Sequence, residues 1–323
     1  MATNQHTIVI AGAGTFGTAL AERFSWNIHN TVLVYNRDQK VVDDINRNHR
    51  NSKYFPAHIL ASSVRATTDL GIFANGDVIL LVIPSKAIVP FAQQIRPIVK
   101  HDPLVINFAK GMSDDGAFIT ERIPFNRKAS MKGPSFAIEV LNGLPTGFTF
   151  GGSRDDYEKF KDTTLDHTSI QLDYTSDIRA VELLSILKNM YAIAIGVVSG
   201  RYNSPNVDFL IYTKAVREMR GFLERFGCDP QSIFLYCGIG DLGLTSLNDL
   251  SRNRTMGLLM GKGFAIDQEA SPTTLEGYRT VRSMHDFIIR DKAEKDFPIA
   301  LALYRLIYEK ESVNQYISTV LAC

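Results

Sequence analysis

The chain has 323 residues, 45% of them hydrophobic and 21% charged, and a formal net charge of +1. That length exceeds what one hydrophobic core supports, so two domains are expected. Near neutrality argues against a nucleic-acid or polybasic membrane partner, which needs a concentrated basic face, so an anionic ligand has to be met locally.

The chain opens on "MATNQHTIVI", which lacks the basic start and longer apolar core of a secretory leader. The apolar run "HTIVIA" suits a parallel strand covered on both faces. It leads into "GAGTFG" at residues 12 to 17 and then into the helical stretch "TALAERFSWNI". Gly-x-Gly-x-x-Gly is unspecific alone and gains meaning between a strand and a helix. There the backbone turns tightly on Gly12 and Gly14, and from Gly17 onward the helix offers unpaired amides and the positive end of its dipole to a pyrophosphate. The next strand, "TVLVYNRD" (Thr31 to Asp38), ends roughly 20 residues beyond the glycines, where a Rossmann unit reads the adenosine ribose.

A polar helix follows over Gln39 to Asn48, then a short extended "VRATTDL" and the strand "DVILLVIPS" (Asp77 to Ser85). The helix "AIVPFAQQIRPIV" and the strand "PLVINFAKG" (Pro103 to Gly111) come next. Apolar strands alternating with helices predict an α/β fold with an N-terminal Rossmann-type doubly wound sheet. "IPS" and "AKG" fall at carboxyl ends of strands, where such sheets bind ligands. "KASMKGPS", "TGFTFGG" and "SIQLDYT" read as further short strands that extend the sheet.

From about Asp177 the character changes. "DIRAVELLSILKNMYAIAIGVVSG" reads as a long helix, apolar on nearly every face, which belongs at the centre of a domain. Its most apolar part, Leu183 to Val198, is short of the roughly 20 residues needed to span a bilayer and contains Lys188, so no membrane segment is expected. Helical stretches continue to the end, broken at "GRYNSPN", "GCDPQS", "GIGDLG" and "ASPTT". The boundary is placed near residue 180, with a dinucleotide-binding domain over 1–180 and an all-α C-terminal domain for substrate and catalysis over 181–323. Cys228, Cys237 and Cys323 form no Cys-x-x-Cys pair and no even set; neither a disulfide framework nor a zinc site is suggested, and a cytoplasmic setting fits.

Three stretches carry candidate chemistry. Lys188, flanked by "LLSIL" and "NMYAIAIG", needs a partner or a cleft to offset desolvation, and a lysine in such surroundings can exchange a proton near neutral pH. "GIGDLGLTSLNDLSRNRTMG" offers the carboxylate of Asp241 and then Ser251, Arg252 and Asn253, whose guanidinium, hydroxyl and amide suit a phosphate; "LSRNR" also suits a solvated helix turn. In "KGPSFAIEV" the Gly-Pro-Ser turn and small residues admit a ligand near the backbone, as many loops do.

Taken in order, "GAGTFGTALA", "NSKYFP", "VIPS", "AKG", "GPSFAIE", "ELLSILKNMYAIAIG", "GIGDLGLT", "LSRNR" and "EGYRT" resemble the NAD(P)-dependent glycerol-3-phosphate dehydrogenases along nearly the whole chain. The resemblance implies an enzyme that interconverts dihydroxyacetone phosphate and sn-glycerol 3-phosphate for glycerophospholipid synthesis. It implies that Lys188 is the catalytic lysine, that Lys110, a second lysine on the substrate, joins it in stabilising the developing alkoxide, that Asp241 holds Lys188 in position, and that Asn189, Asp241 and Thr245 are polar residues at the reacting end. Arg252 and Asn253 become the phosphate pair with Ser251 beside them, and Gly133, Ser135 and Ala137 line the ligand cleft. Gly12, Gly14, Thr15, Phe16 and Gly17 hold the dinucleotide, with Arg37, Lys110, Ala137, Arg252, Thr274 and Glu276 as further cofactor contacts. No metal is implied, and a homodimer is left open.

The chain departs from the family pattern at Lys214-Ala215, where Arg-Gly is usual, in "GRYNSPNVDF" in place of a glycine-rich loop, and in a tail ending at Cys323. These departures are expected beside the substrate pocket. Asn36-Arg37 at the end of the second strand lacks the carboxylate common in NAD enzymes, which predicts NADPH as the preferred cofactor with NADH usable, whereas one residue of slip would bring Asp38 to the ribose. Two other readings remain open here: a β-hydroxyacid dehydrogenase of the 6-phosphogluconate type, and a non-catalytic regulatory protein that senses NADPH.

Overall fold

The computed structural model describes residues 5–113, 115–264 and 276–323. The chain divides into two compact units, Met1–Ile178 and Arg179–Cys323.

Unit 1 opens with β1 (His6–Ala11), α1 (Thr15–Phe24), β2 (Asn30–Tyr35), α2 (Gln39–Asn48), β3 (Arg65–Thr67), β4 (Val78–Leu81), α3 (Ser85–Ile95) and β5 (Leu104–Asn107). It continues with α4 (Ile119–Arg122), β6 (Lys128–Lys132), α5 (Ala137–Leu141), β7 (Thr146–Gly151), α6 (Arg154–Thr164) and β8 (Ile170–Thr175). The strands form one sheet in the order β3-β2-β1-β4-β5-β6-β7-β8. Pairing is parallel except between β6 and β7, which run antiparallel with Met131 opposite Phe150. The three late strands do extend the sheet, and the reversal at β7 is the feature that alternation of strands and helices does not foretell.

The continuous apolar runs are explained by burial on both faces. Ile8 and Ile10 of β1, with Val78 and Leu80 of β4, join one core cluster. Val9 and Ala11, with Ile79 and Leu81, join the other. Each valine, isoleucine or leucine among them contributes about 1.5–3 kcal/mol by leaving water, and a run serving two cores has no polar face to alternate with.

Unit 2 contains only helices and turns among its described residues: α7 (Ile178–Tyr202), α8 (Pro205–Arg225), α9 (Asp241–Ser246), α10 (Arg252–Gly261), α11 (Glu276–Arg290), α12 (Pro298–Tyr308) and α13 (Val313–Ala322). Every residue of α7 from Ala180 to Ser199 is buried. At 25 residues α7 is longer than the apolar stretch that marks it, and by length and composition it could cross a membrane. In this structure its apolar window is wholly buried within the protein, as befits a helix without a polar face.

Candidate functional site

In unit 1 the glycine turn has the geometry its sequence context demands. Gly12 has φ +110°, a left-handed conformation that side chains disfavour, and a Cβ there would lie 2.7 Å from the Val82 carbonyl. At Gly17 a Cβ would lie 1.9 Å from the Gly12 carbonyl, so only glycine lets α1 begin this close to β1. Gly14 caps α1 with no side chain accepting from the first amides, and a Cβ on it would meet nothing within 4 Å. The first amides of α1, from Thr15 to Gly17, thus have the open setting that a pyrophosphate requires, and the turn fits a dinucleotide. Phe16 lies beneath, its ring centroid 5.9 Å from that of Phe108 and 6.2 Å from that of Phe148.

The buried amide of Asn51 supports this turn, donating to Ala13 O at 2.9 Å and Thr18 Oγ1 at 2.8 Å. Asn51 stands in "NSKYFP", a stretch whose sequence carries no local sign of this support. At the end of β2, Arg37 is exposed. Asp38 caps α2, accepting from Lys40 N at 3.1 Å, and lies 3.6 Å from Lys53 Nζ.

Lys110 is half-buried three residues past β5. Near that strand end the fully buried Lys132 donates to Asn107 O at 2.6 Å and Ser130 Oγ at 2.9 Å. A lysine inside a strand gives no local sign that it will be buried, so the sequence does not mark Lys132 as a site residue. Gly133 owes its small size to β7, since a Cβ would lie 2.2 Å from Gly147 O. Ser135 Oγ donates to Gly133 O at 3.0 Å. Ala137 begins α5 and packs against the core.

In unit 2 the structure brings the expected residues together. Lys188 Nζ donates to Asp241 Oδ1 and, at 3.1 Å, to Thr245 Oγ1. The side chains of Lys188 and Asp241 are 3% and 1% exposed, so the carboxylate compensates an ammonium that α7 has taken almost wholly out of water. Asp241 and Thr245 lie one turn apart on α9 and present one face to the lysine. A wide turn over Tyr236–Gly240 kinks at Gly238 just before that helix, and a Cβ on Gly238 would lie 2.0 Å from Ile233 O. The glycine permits the close pass that brings Asp241 to Lys188.

Asn189, next along α7, accepts from Asn253 Nδ2 at 3.1 Å. Ser251 caps α10, its Oγ accepting from Arg254 N at 3.3 Å, and Arg252 is exposed at the first position of the helix. Glu276 begins α11; the neighbouring Gly277 comes so near that a Cβ would lie 2.8 Å from Asn253 Oδ1 and 3.1 Å from Asn189 O. Thr274 lies outside the described residues.

Two departures acquire structural reasons. Lys214 Nζ donates to Val320 O at 3.0 Å and Leu321 O at 2.9 Å, holding the carbonyl end of α13, where a cation also meets the negative end of the helix dipole. Asp208, from "GRYNSPNVDF", lies 3.8 Å from Arg254.

Residues 7–157 match the NAD-dependent glycerol-3-phosphate dehydrogenase N-terminus family and residues 177–318 the corresponding C-terminus family. The chain belongs to this family. It is an enzyme of that family, an NAD(P)-dependent oxidoreductase. Among its relatives, the glycerol-3-phosphate dehydrogenase [NAD(P)+] of Methanothermobacter thermautotrophicus is 32% identical over 317 residues, covering 96% of each chain. That of Acinetobacter baylyi is 31% identical, covering 94% of this chain and 86% of the relative. The crystal structure of the Coxiella burnetii glycerol-3-phosphate dehydrogenase is similar across 99% of each chain, with 26% identity and a TM-score of 0.86.

Proposed function

We propose that the chain interconverts dihydroxyacetone phosphate and sn-glycerol 3-phosphate in the cytoplasm, mainly as the reduction that supplies glycerophospholipid synthesis, with NADPH preferred over NADH. The observation that carries this reading is the buried Lys188–Asp241–Thr245 group, beside Asn189 and Asn253 at the start of α10.

Gly12, Gly14, Thr15, Phe16 and Gly17 would hold the pyrophosphate. When bound, the reduced nicotinamide supplies the hydride for the carbonyl carbon. Lys188 Nζ gives a proton to the developing alkoxide, and its charge stabilises that oxygen before the transfer. Asp241 and Thr245 hold Nζ in place; Asp241 also keeps the ammonium form supported until the proton leaves. Arg252 grips the substrate phosphate through its planar fork, with Asn253 beside it. The resemblance also assigns substrate contact to Lys110. Arg37 is the reader of a 2′-phosphate, a view favoured by its exposure and by the commitment of Asp38 to capping α2.

Steady-state oxidation of NADPH with dihydroxyacetone phosphate is the test. Turnover with this ketone and little with its unphosphorylated form is expected; turnover only with a β-hydroxyacid, or cofactor binding without turnover, would overturn the reading.

A further inference from the structure

Every fourth residue of α10 meets every fourth residue of α7. Asn253 pairs with Asn189, 64 residues away. A Cβ on Gly257 would lie 2.2 Å from Ile193 O, and one on Gly261 would lie 2.1 Å from Val197 O. The three pairs share one offset and ascend together, so the two helices run parallel and in register with backbone against backbone. The reverse contacts agree: a Cβ on Gly196 would lie 2.5 Å from Arg254 O, and one on Gly200 would lie 2.4 Å from Leu258 O. One residue before the first pair stand Lys188 and Arg252, which therefore occupy matching levels on the two helices.

Arg254 clamps this arrangement. Its side chain is 11% exposed. Nη1 donates to Ser199 Oγ at 3.2 Å on α7 and to Ser246 O at 2.5 Å at the end of α9. Nε donates to Asp249 Oδ1 at 3.3 Å, and Nη2 lies 3.8 Å from Asp208 Oδ2 in the first turn of α8. Ser199 Oγ donates in turn to Asp208 Oδ1 at 2.6 Å. One guanidinium thus ties the first turn of α10, where Arg252 stands, to three other helices. Its deepest countercharge comes from the stretch in which this chain departs from the family pattern.

We infer that Arg254, acting through the in-register α7–α10 pair, is a positioning residue that sets the level of the Arg252 phosphate anchor against the Lys188 proton donor. The chain is thereby selective for a short phosphorylated ketone. This rests on the assignment of those two residues proposed above. A planar clamp with four partners resists sliding of α10 along α7, which a point charge would not.

The test compares Arg254→Met, Asp208→Asn and Arg252→Ala, and the double variant Arg252→Ala/Asp208→Asn. The substrates are dihydroxyacetone phosphate, its unphosphorylated form and a ketose phosphate one carbon longer. For Arg254→Met, KM for dihydroxyacetone phosphate is expected to rise about 10-fold with kcat within about 3-fold and the NADPH KM unchanged, and the preference for the three-carbon phosphate to shrink. Asp208→Asn should move the same readings by less, and it decides alone if Arg254→Met fails to fold. In the Arg252→Ala background it should cost no further phosphate preference, because a positioning effect needs its anchor. Loss of phosphate preference in Arg252→Ala, with parental KM and length selectivity in the foldable clamp variants, would overturn the inference alone; so would full additivity in the double variant. Phosphate preference retained by Arg252→Ala would overturn the anchor assignment and the inference with it.

Discussion

The two units build their candidate binding surfaces from different material. Unit 1 uses backbone: within residues 12 to 17 a strand ends, the chain turns at positive φ, and a helix presents its first amides. Unit 2 uses side chains from separate helices: Lys188 meets Asp241 from 53 residues away, and Asn189 meets Asn253 from 64. Glycine serves both. In unit 1 Gly12 and Gly17 close the turn while Gly14 leaves the space beside the first amides open; in unit 2 glycines let two helices close on each other until no space remains.

That contrast is broken most sharply at Gly17. A Cβ there would lie 1.9 Å from the Gly12 carbonyl, so Gly17→Ala should abolish measurable cofactor binding, followed by fluorescence titration. Retention of parental affinity would show that the turn does not carry the dinucleotide. In unit 2 the matching change is electrostatic. Arg252→Lys keeps the charge and loses the fork, so KM for dihydroxyacetone phosphate should rise by about 10- to 100-fold, with a smaller loss of cofactor affinity because Arg252 is also an expected cofactor contact; an unchanged KM would place the phosphate elsewhere.

Arg37→Ala asks whether side chains also matter at the edge of the backbone-built surface. The ratio of kcat/KM for NADPH over NADH should fall by about 10-fold, the scale of one charge-assisted phosphate contact. A parent that prefers NADH, or a variant with an undiminished ratio, would count against Arg37.

The smallest effect concerns stability in unit 2. Burial pushes the Glu218 carboxyl up to about 7, against the pull of the Ile299 amide, the Tyr191 hydroxyl and the Ala300 amide. Its oxygens cap α12 and anchor Tyr191 of α7. Between its ordinary value and about 7 the folded state holds a proton that the unfolded state has lost. The resulting stabilisation is complete below the unfolded value and disappears as pH rises through the folded one. Tm should therefore fall by a few degrees from about pH 5 to pH 8, and Glu218→Gln should flatten that slope. Parallel slopes in parent and variant would refute the titration.

What the sequence makes legible follows the same division. The glycine turn, α2 over Gln39–Asn48 and the two-faced strands are local patterns, and they stand in the chain where they stand in the fold. Lys188 was conspicuous because its neighbours are apolar. Its partners could be assigned only through the family resemblance, since nothing near Lys188 in sequence points to Asp241. The antiparallel entry of β7, the burial of Lys132, the support that Asn51 gives the glycine turn and the clamp at Arg254 are not legible in the sequence. Each depends on which element packs against which, and an arginine in "SRNR" looks solvated until Ser199, Ser246 and Asp208 converge on it.

The central claim is that proton transfer belongs to the helix-borne group in unit 2 and cofactor binding to the backbone turn in unit 1. Lys188→Ala tests it most directly, with NADPH affinity and turnover of dihydroxyacetone phosphate measured on the same preparation. Turnover should drop by about two or more orders of magnitude, the scale of a positioned proton donor, while NADPH affinity stays at the parental value. Near-normal turnover in that variant would contradict the account.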